Sequence, residues 1–300
     1  MRLAITGGTG FVGARLIAAA LVAGHQVQAL ARRSQPPQPG LDWVAGALDT
    51  PDALARLCAA ADAVIHVAGV VNAPDRAGFA AGNIAGTEAM LAAAQAAGVS
   101  RFVHVSSLAA RAPELSLYGW SKAEAEARVM ASALDWRIVR PPAIYGPGDL
   151  EMIDVYRLAK RGWALLPPPG RLSLIAADDL TQLLLALAAA PGAPALYEAD
   201  DGTPGGWSHA DYARAIGTAL GRRVHPVSLP APALLLAARL DRLTRGGKAK
   251  LTPDRARYMA HPDWTIDPAK RPPPALWRPA IATPDGLAAT AAWYRAQGLL

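Results

Sequence analysis

A chain of 300 residues that is 52% hydrophobic and 18% charged can bury a sizeable core, which excludes an intrinsically disordered protein. Its formal charge of +6, from 30 basic and 24 acidic residues, is spread along the chain. No lysine/arginine block with interleaved aromatics occurs, which argues against a nucleic-acid partner and fits a basic cleft around a small anion.

The first half alternates short apolar strands with Ala/Leu-rich helical segments. Strands are predicted at Leu3–Ile5, Gln26–Ala31, Asp42–Val44, Ala63–Ala68, Arg101–Ser106 and Asp135–Arg140. Helices are predicted at Gly13–Ala23, Pro51–Ala60, Asn83–Ala97 and Tyr118–Ala133. Such alternation predicts an α/β fold, a Rossmann-type doubly wound parallel sheet. After Gly148 the rhythm changes to helices, clustered prolines and most of the tryptophans. The expected organisation is a dinucleotide-binding domain over 1–148, rejoined by a strand within about 177–200, and a smaller, mostly helical substrate lobe over 149–300, set over the C-terminal edge of the sheet.

Cys58 is the only cysteine, so no intrachain disulfide forms, in keeping with a reducing, cytoplasmic setting. No signal peptide is expected before the first strand, and no apolar run is long enough for stable membrane insertion. Ala231–Leu240 is apolar but short, and reads as a buried or interfacial helix.

Thr6-Gly7-Gly8-Thr9-Gly10-Phe11-Val12-Gly13 follows the first strand and opens a helix. Gly8, Gly10 and Gly13 fit G-x-G-x-x-G; Gly7, Gly10 and Gly13 fit G-x-x-G-x-x-G. Glycines there let a pyrophosphate approach the backbone N–H groups of a helix N-terminus. The end of the second strand, where NAD sites carry a ribose-binding carboxylate, holds Ala31 followed by Arg32 and Arg33. Guanidinium groups suit a 2′-phosphate, so NADP(H) is expected over NAD(H).

Tyr118 and Lys122 are four apart, one turn along one helical face. A phenol that ionises near pH 10 in water needs a shift of about three units to exchange protons near neutrality, and one cation about 4 Å away supplies a similar amount. The pair therefore reads as a general acid/base with its pKa lowered by an ammonium. A hydroxyl to polarise the substrate oxygen is expected at the end of the preceding strand, Ser107 in preference to Ser106.

With these motifs the chain resembles the extended short-chain dehydrogenase/reductase superfamily, of the epimerase/dehydratase type. His66-Val67-Ala68-Gly69 is similar to its fourth-strand motif, Asn83-Ile84-Ala85-Gly86-Thr87 to its N-x-x-G-T helix start, and Arg140-Pro141-Pro142-Ala143-Ile144-Tyr145-Gly146-Pro147 to its segment beside the nicotinamide. The resemblance implies catalytic roles for Asn83, Ser107, Tyr118 and Lys122. It implies cofactor contacts from Gly7, Gly10, Phe11, Val12, Gly13, Leu48, Val67, Ala68, Gly69, Tyr118, Lys122, Pro141 and Ile144. It also implies homodimerisation through the two helices that begin at Asn83 and Tyr118. Where the family has Gly-Asp-Leu, this chain has Gly46-Ala47-Leu48, so the adenine contact falls to Asp49 or to backbone.

The second half is nearer the dihydroflavonol reductase and 3β-hydroxysteroid dehydrogenase branch. It implies hydride transfer between nicotinamide and a small-molecule substrate, a mostly apolar ketone, aldehyde or secondary alcohol. Arg157, Arg161, Arg171 and Arg214 keep open a sugar-nucleotide epimerase or dehydratase with retained NAD, and a non-catalytic dinucleotide-binding protein is the third reading. Other residues have plainer readings. His66 and His104 read as core histidines, Glu124 and Glu126 as the solvated side of the catalytic helix, and Ser208 as a helix cap. Asp178-Asp179 read as a cap before Leu180–Ala190 rather than a metal site. Trp163 and Tyr145 serve either core packing or the substrate site.

Overall fold

Seven strands run parallel in one sheet: β1 (Arg2–Thr6), β2 (Gln26–Ala31), β3 (Leu41–Ala45), β4 (Ala63–His66), β5 (Arg101–Val105), β6 (Asp135–Arg140) and a seventh, Ala195–Glu198. The computed structural model describes residues 1–246 and 251–300. Across the sheet the order is seventh strand, β6, β5, β4, β1, β2, β3, so the chain reverses its direction of travel between β1 and β4. A crevice at such a switch point, at the C-terminal ends of the strands, is where doubly wound sheets bind ligands. The register sets Ile5 beside Ala29 and Ile65, and Ile65 beside Val103. β4 is buried along its whole length, as a strand covered on both faces must be.

The helices that place the site are α1 (Phe11–Val22), α2 (Pro51–Cys58), α3 (Arg76–Phe79), α4 (Gly86–Ala96) and α5 (Leu117–Met130). Leu54, Leu57, Met90, Phe102, Val129 and Ile138 form a core on one side of the sheet.

Most boundaries shift by one to three residues, and three departures have a visible physical cause. β4 ends at His66 rather than Ala68, because the Ala68 N–H turns to the Thr6 hydroxyl at 3.2 Å. The helix expected from Asn83 begins at Arg76, capped by the Asp75 carboxylate, which accepts from the Gly78 N–H at 2.8 Å. It widens to a π-helical turn over Ala80–Ala85 before α4, so Asn83 lies inside a helix, not at its start. Asp178 and Asp179 lie in the first turn of the helix Ala177–Ala189 instead of capping it, and Asp178 pairs with Arg15.

The chain divides into two units. The first is Met1–Pro141, Asp178–Ala199 and Ala269–Arg278; the second is Pro142–Ala177, Asp200–Pro268 and Pro279–Leu300. Ala143–Tyr145, grouped with the first domain by sequence, pairs with Leu174–Ala176 in the second unit. Helices Ile153–Lys160, His209–Leu220 and Thr283–Ala296 there surround Tyr145, Tyr156, Ile216, Leu287 and Tyr294. Tyr145 is thus a core residue, its hydroxyl donating to Thr283 at 3.2 Å. Trp163 is 53% exposed. Ser208 caps the helix His209–Leu220 as expected, accepting from the Asp211 N–H at 3.0 Å.

Candidate active site

The glycine loop joins β1 to α1 and is built by close backbone approach. Gly7 has φ +73°, open to glycine at little cost, and a Cβ on it would lie 2.7 Å from the Ala68 nitrogen. A Cβ on Gly13 would sit 2.0 Å from the Gly7 carbonyl oxygen. Gly10 is the N-cap of α1, no side chain caps the helix, and no acidic residue occupies its first turn. The N–H groups of Phe11, Val12 and Gly13 therefore stand open at the positive end of a twelve-residue helix. Arg32 and Arg33, both exposed, line a hollow of about 490 Å³ with Thr9 and Gln35, which brings the arginine pair next to the loop. An uncapped helix N-terminus beside a cationic hollow fits an anionic dinucleotide.

Val67, Ala68 and Gly69 leave the end of β4 beside this loop, as the contact of Gly7 with Ala68 requires. Leu48 packs over Gly86 of α4, where any Cβ would meet the Leu48 Cδ1 at 2.6 Å. Asp49, offered as an adenine contact, is exposed and accepts a long 3.5 Å hydrogen bond from Thr50. Pro141 ends the first segment of the first unit, its carbonyl accepting from the Leu108 N–H at 3.1 Å. Ile144 belongs to the second unit, beside Ile175.

The second half of the site lies where β5 runs towards α5. Ser116 caps α5 by accepting from the Gly119 N–H at 2.9 Å, and this sets Tyr118 and Lys122 on its first turns. Gly119 is required by proximity: a Cβ there would lie 2.6 Å from the Ala109 carbonyl oxygen. The Ser107 hydroxyl accepts from the Ala109 N–H at 3.2 Å and is hydrogen-bonded to the Tyr118 phenol. Ser106 turns the other way, to Glu126. Of the two serines, the structure therefore brings Ser107 to the tyrosine.

The electrostatics differ from the sequence reading. Burial pushes the Tyr118 phenol pKa up, opposed by the Ser107 hydrogen bond, so the expected downward shift from Lys122 is absent. The Lys122 ammonium, 5% exposed, donates to the Val105 carbonyl at 2.8 Å. Burial lowers its pKa to about 8, against the pull of the Glu126 carboxylate. Asn83 donates to Ser121 Oγ at 2.8 Å and to the Val70 carbonyl at 3.0 Å, while its own carbonyl accepts from the Val70 N–H at 2.7 Å. It clamps the loop after β4 onto α5, and a Cβ on Gly69 would lie 2.8 Å from Asn83 Oδ1 and 3.6 Å from Lys122 Nζ.

Glu126 is not on a solvated face. It is 1% exposed and accepts from Ser106 and from Arg140, whose Nε is 2.8 Å away. Arg140 also reaches the buried Glu198 of the seventh strand. Glu124, by contrast, is half-buried and pairs with Arg128. The spacing Lys122-x-x-x-Glu126 carried this signal, since it continues the Tyr118/Lys122 stripe by one more turn. His66 and His104 are buried as expected. Burial, with Lys122 adding to it, holds His66 at about 3 and His104 well below its ordinary value. Of the four arginines offered as diphosphate ligands, Arg157 donates to the Leu299 carbonyl, Arg171 to the carbonyls of Gly205 and Gly206, and Arg214 to Asp211, while Arg161 is exposed and forms no salt bridge among the described residues.

A family model described as NAD(P)H-binding matches residues 7–162. A ceramide reductase of Caulobacter vibrioides is 37% identical over 99% of this chain and 96% of its own length. A putative dihydroflavonol 4-reductase of Synechocystis is 36% identical over 49% of this chain and 50% of its own. Among solved structures, the Bordetella bronchiseptica enzyme WbmH in complex with NAD+ superposes with a TM-score of 0.76 at 18% identity, covering 99% of both chains.

Proposed function

This chain belongs to the extended short-chain dehydrogenase/reductase superfamily, and on that premise we propose that it reduces a carbonyl group on a mostly apolar substrate with NADPH, Tyr118 delivering the proton. It is an NAD(P)-dependent oxidoreductase of that type; the preference for NADP(H), the role of Tyr118 and the substrate class are our proposal.

The observation that carries it is a protonated phenol hydrogen-bonded to Ser107, one helical turn from a buried lysine. When bound, the reduced nicotinamide supplies a hydride to the carbonyl carbon. The Ser107 hydroxyl donates to the carbonyl oxygen and polarises it. The Tyr118 phenol gives its proton to that oxygen as negative charge develops there, leaving an alcohol. A pKa raised by burial keeps the phenol protonated, which suits a proton donor and hence reduction. Lys122, charged below about pH 8, favours the phenolate that remains and is long enough to hold the ribose hydroxyls. The glycine loop and the first turn of α1 would hold the pyrophosphate, and Arg32 and Arg33 the 2′-phosphate.

The substrate class follows from two supports. A relative matched at 37% identity over nearly its full length is named a ceramide reductase. Arg157, Arg171 and Arg214 are engaged with partners of their own, which favours an uncharged substrate over a sugar-nucleotide diphosphate. We therefore read the substrate as a long-chain, ceramide-like ketone. The test is NADPH oxidation with a keto-ceramide in micelles, the product gaining two hydrogens by mass spectrometry. Turnover by Tyr118→Phe at the wild-type rate would remove the proton-donor role, and tighter binding of NADH than NADPH would remove the cofactor preference. A homodimer through α4 and α5 is proposed with it, and light scattering measures it.

A further inference from the structure

The second unit exposes an apolar surface that a water-facing fold leaves polar. Trp163–Leu166 and His225–Ser228 pair in parallel, with Trp163 beside His225 and Leu165 beside Val227. These four share one face, because alternate residues of a strand point the same way. On it Trp163 is 53%, Leu165 61% and Val227 39% exposed, and the Trp163 and His225 rings lie 5.6 Å apart. The opposite face buries Ala164 in the core of this unit.

Two residues later, after Leu229 and Pro230, the chain enters the helix Ala231–Arg245. Its inner face is already satisfied, since Leu234 and Ala238 pack against Ala256. Its outer face carries Leu236, Leu240 and Leu243, which are 58%, 53% and 81% exposed and share one stripe. A helix that is apolar on both sides is suited to a medium other than water. At fifteen residues it is too short to span a bilayer, and no helix among the described residues is long and apolar enough to do so.

The charges around this surface are mostly basic, Asp241 of the helix being turned to the Leu251 N–H at 2.9 Å. Lys160 and Arg161 precede Trp163, and Arg222 and Arg223 precede His225, so two basic pairs stand at the same end of the strand pair. All four are exposed, and none forms a salt bridge among the described residues. Arg239 adds a cation to the outer face of the helix. No aspartate or glutamate occurs between Asp154 and Asp178, or between Asp211 and Asp241. An exposed tryptophan, a leucine stripe and unpaired cations are the components by which peripheral proteins hold an anionic lipid surface.

We propose that the strand face Trp163/Leu165/Val227, together with the leucine stripe of the helix Ala231–Arg245, docks this protein on an anionic phospholipid bilayer. The docking is peripheral and reversible: the leucines enter the headgroup boundary while the arginines meet lipid phosphates. It goes beyond the reductase reading and stands whether or not Tyr118 is the proton donor.

The experiment is co-sedimentation of the full chain with vesicles of phosphatidylcholine containing phosphatidylglycerol, against pure phosphatidylcholine vesicles. Binding to the anionic vesicles that weakens with salt is expected. Leu243→Gln, at the most exposed of the three leucines, lowers partitioning by about threefold or more, and Leu236→Gln/Leu240→Gln/Leu243→Gln by about tenfold or more. Arg222→Gln/Arg223→Gln lowers it by about tenfold and flattens the salt dependence. NADPH affinity and melting temperature stay at wild-type values in Leu243→Gln and in the arginine variant. Three results overturn the proposal: no binding to anionic vesicles at low salt, equal binding by wild type and both of those variants, or a solution dimer that Leu243→Gln dissolves without any vesicle binding.

Discussion

The proposed cofactor cradle and the proposed proton-handling end of the site are built from different materials. The cradle is backbone and exposed cation: Gly7, Gly10 and Gly13 make room, the first turn of α1 presents N–H groups, and Arg32 and Arg33 wait in solvent. The proposed proton-handling end is a mesh of buried and half-buried side chains. Ser107 holds Tyr118, the Val105 carbonyl holds Lys122, Asn83 ties the loop after β4 to Ser121, and Glu126 joins Ser106 to Arg140. A backbone cradle fails when volume is added, whereas a side-chain mesh fails when one hydroxyl or charge is taken away.

The largest effect follows from adding volume. Gly13→Ala places a Cβ 2.0 Å from the Gly7 carbonyl, so the loop must open and NADPH binding is lost in calorimetry. Removing one hydroxyl comes next. Tyr118→Phe lowers kcat by about 10²–10⁴-fold, the range of a lost general acid, with the dissociation constant of NADPH unchanged. Glu126→Gln removes one partner of a buried pair and is expected to lower unfolding free energy by about 2–3 kcal/mol in urea titration.

That variant also tests the electrostatics. Lys122 is charged below about pH 8 in the free protein, so kcat/KM falls as pH rises through that value. The Glu126 carboxylate raises the Lys122 pKa, so Glu126→Gln moves the alkaline limb to lower pH, whereas a purely structural role for Glu126 leaves the limb in place. The smallest effect belongs to the exposed cations: Arg32→Ala/Arg33→Ala weakens NADPH by about tenfold and leaves NADH unchanged, since solvent screens what remains.

The same contrast explains what was legible beforehand. The glycine spacing after β1 and the missing carboxylate at Ala31 are local features, readable because a phosphate cradle is made by consecutive residues. Gln26–Ala31 and Asp135–Arg140 were predicted to the residue, since apolar runs bounded by turns need little context. Asn83 looked like a helix start because Gly86-Thr87 follow it, and the Asp75 cap and π-turn that extend the helix backwards have no periodic signature. Glu126 looked solvated because its partners, Ser106 and Arg140, are 20 and 14 residues away in sequence.

From its sequence alone the chain determined a parallel α/β sheet, a dinucleotide loop, and a tyrosine and lysine on one helical face, because each depends on spacings of a few residues. The direction in which the Tyr118 pKa moves, the turning of Ser106 to Glu126, and the burial of Glu126 were decided only by tertiary structure. Desolvation and long-range pairing depend on which residues close around a group, and no local spacing encodes that.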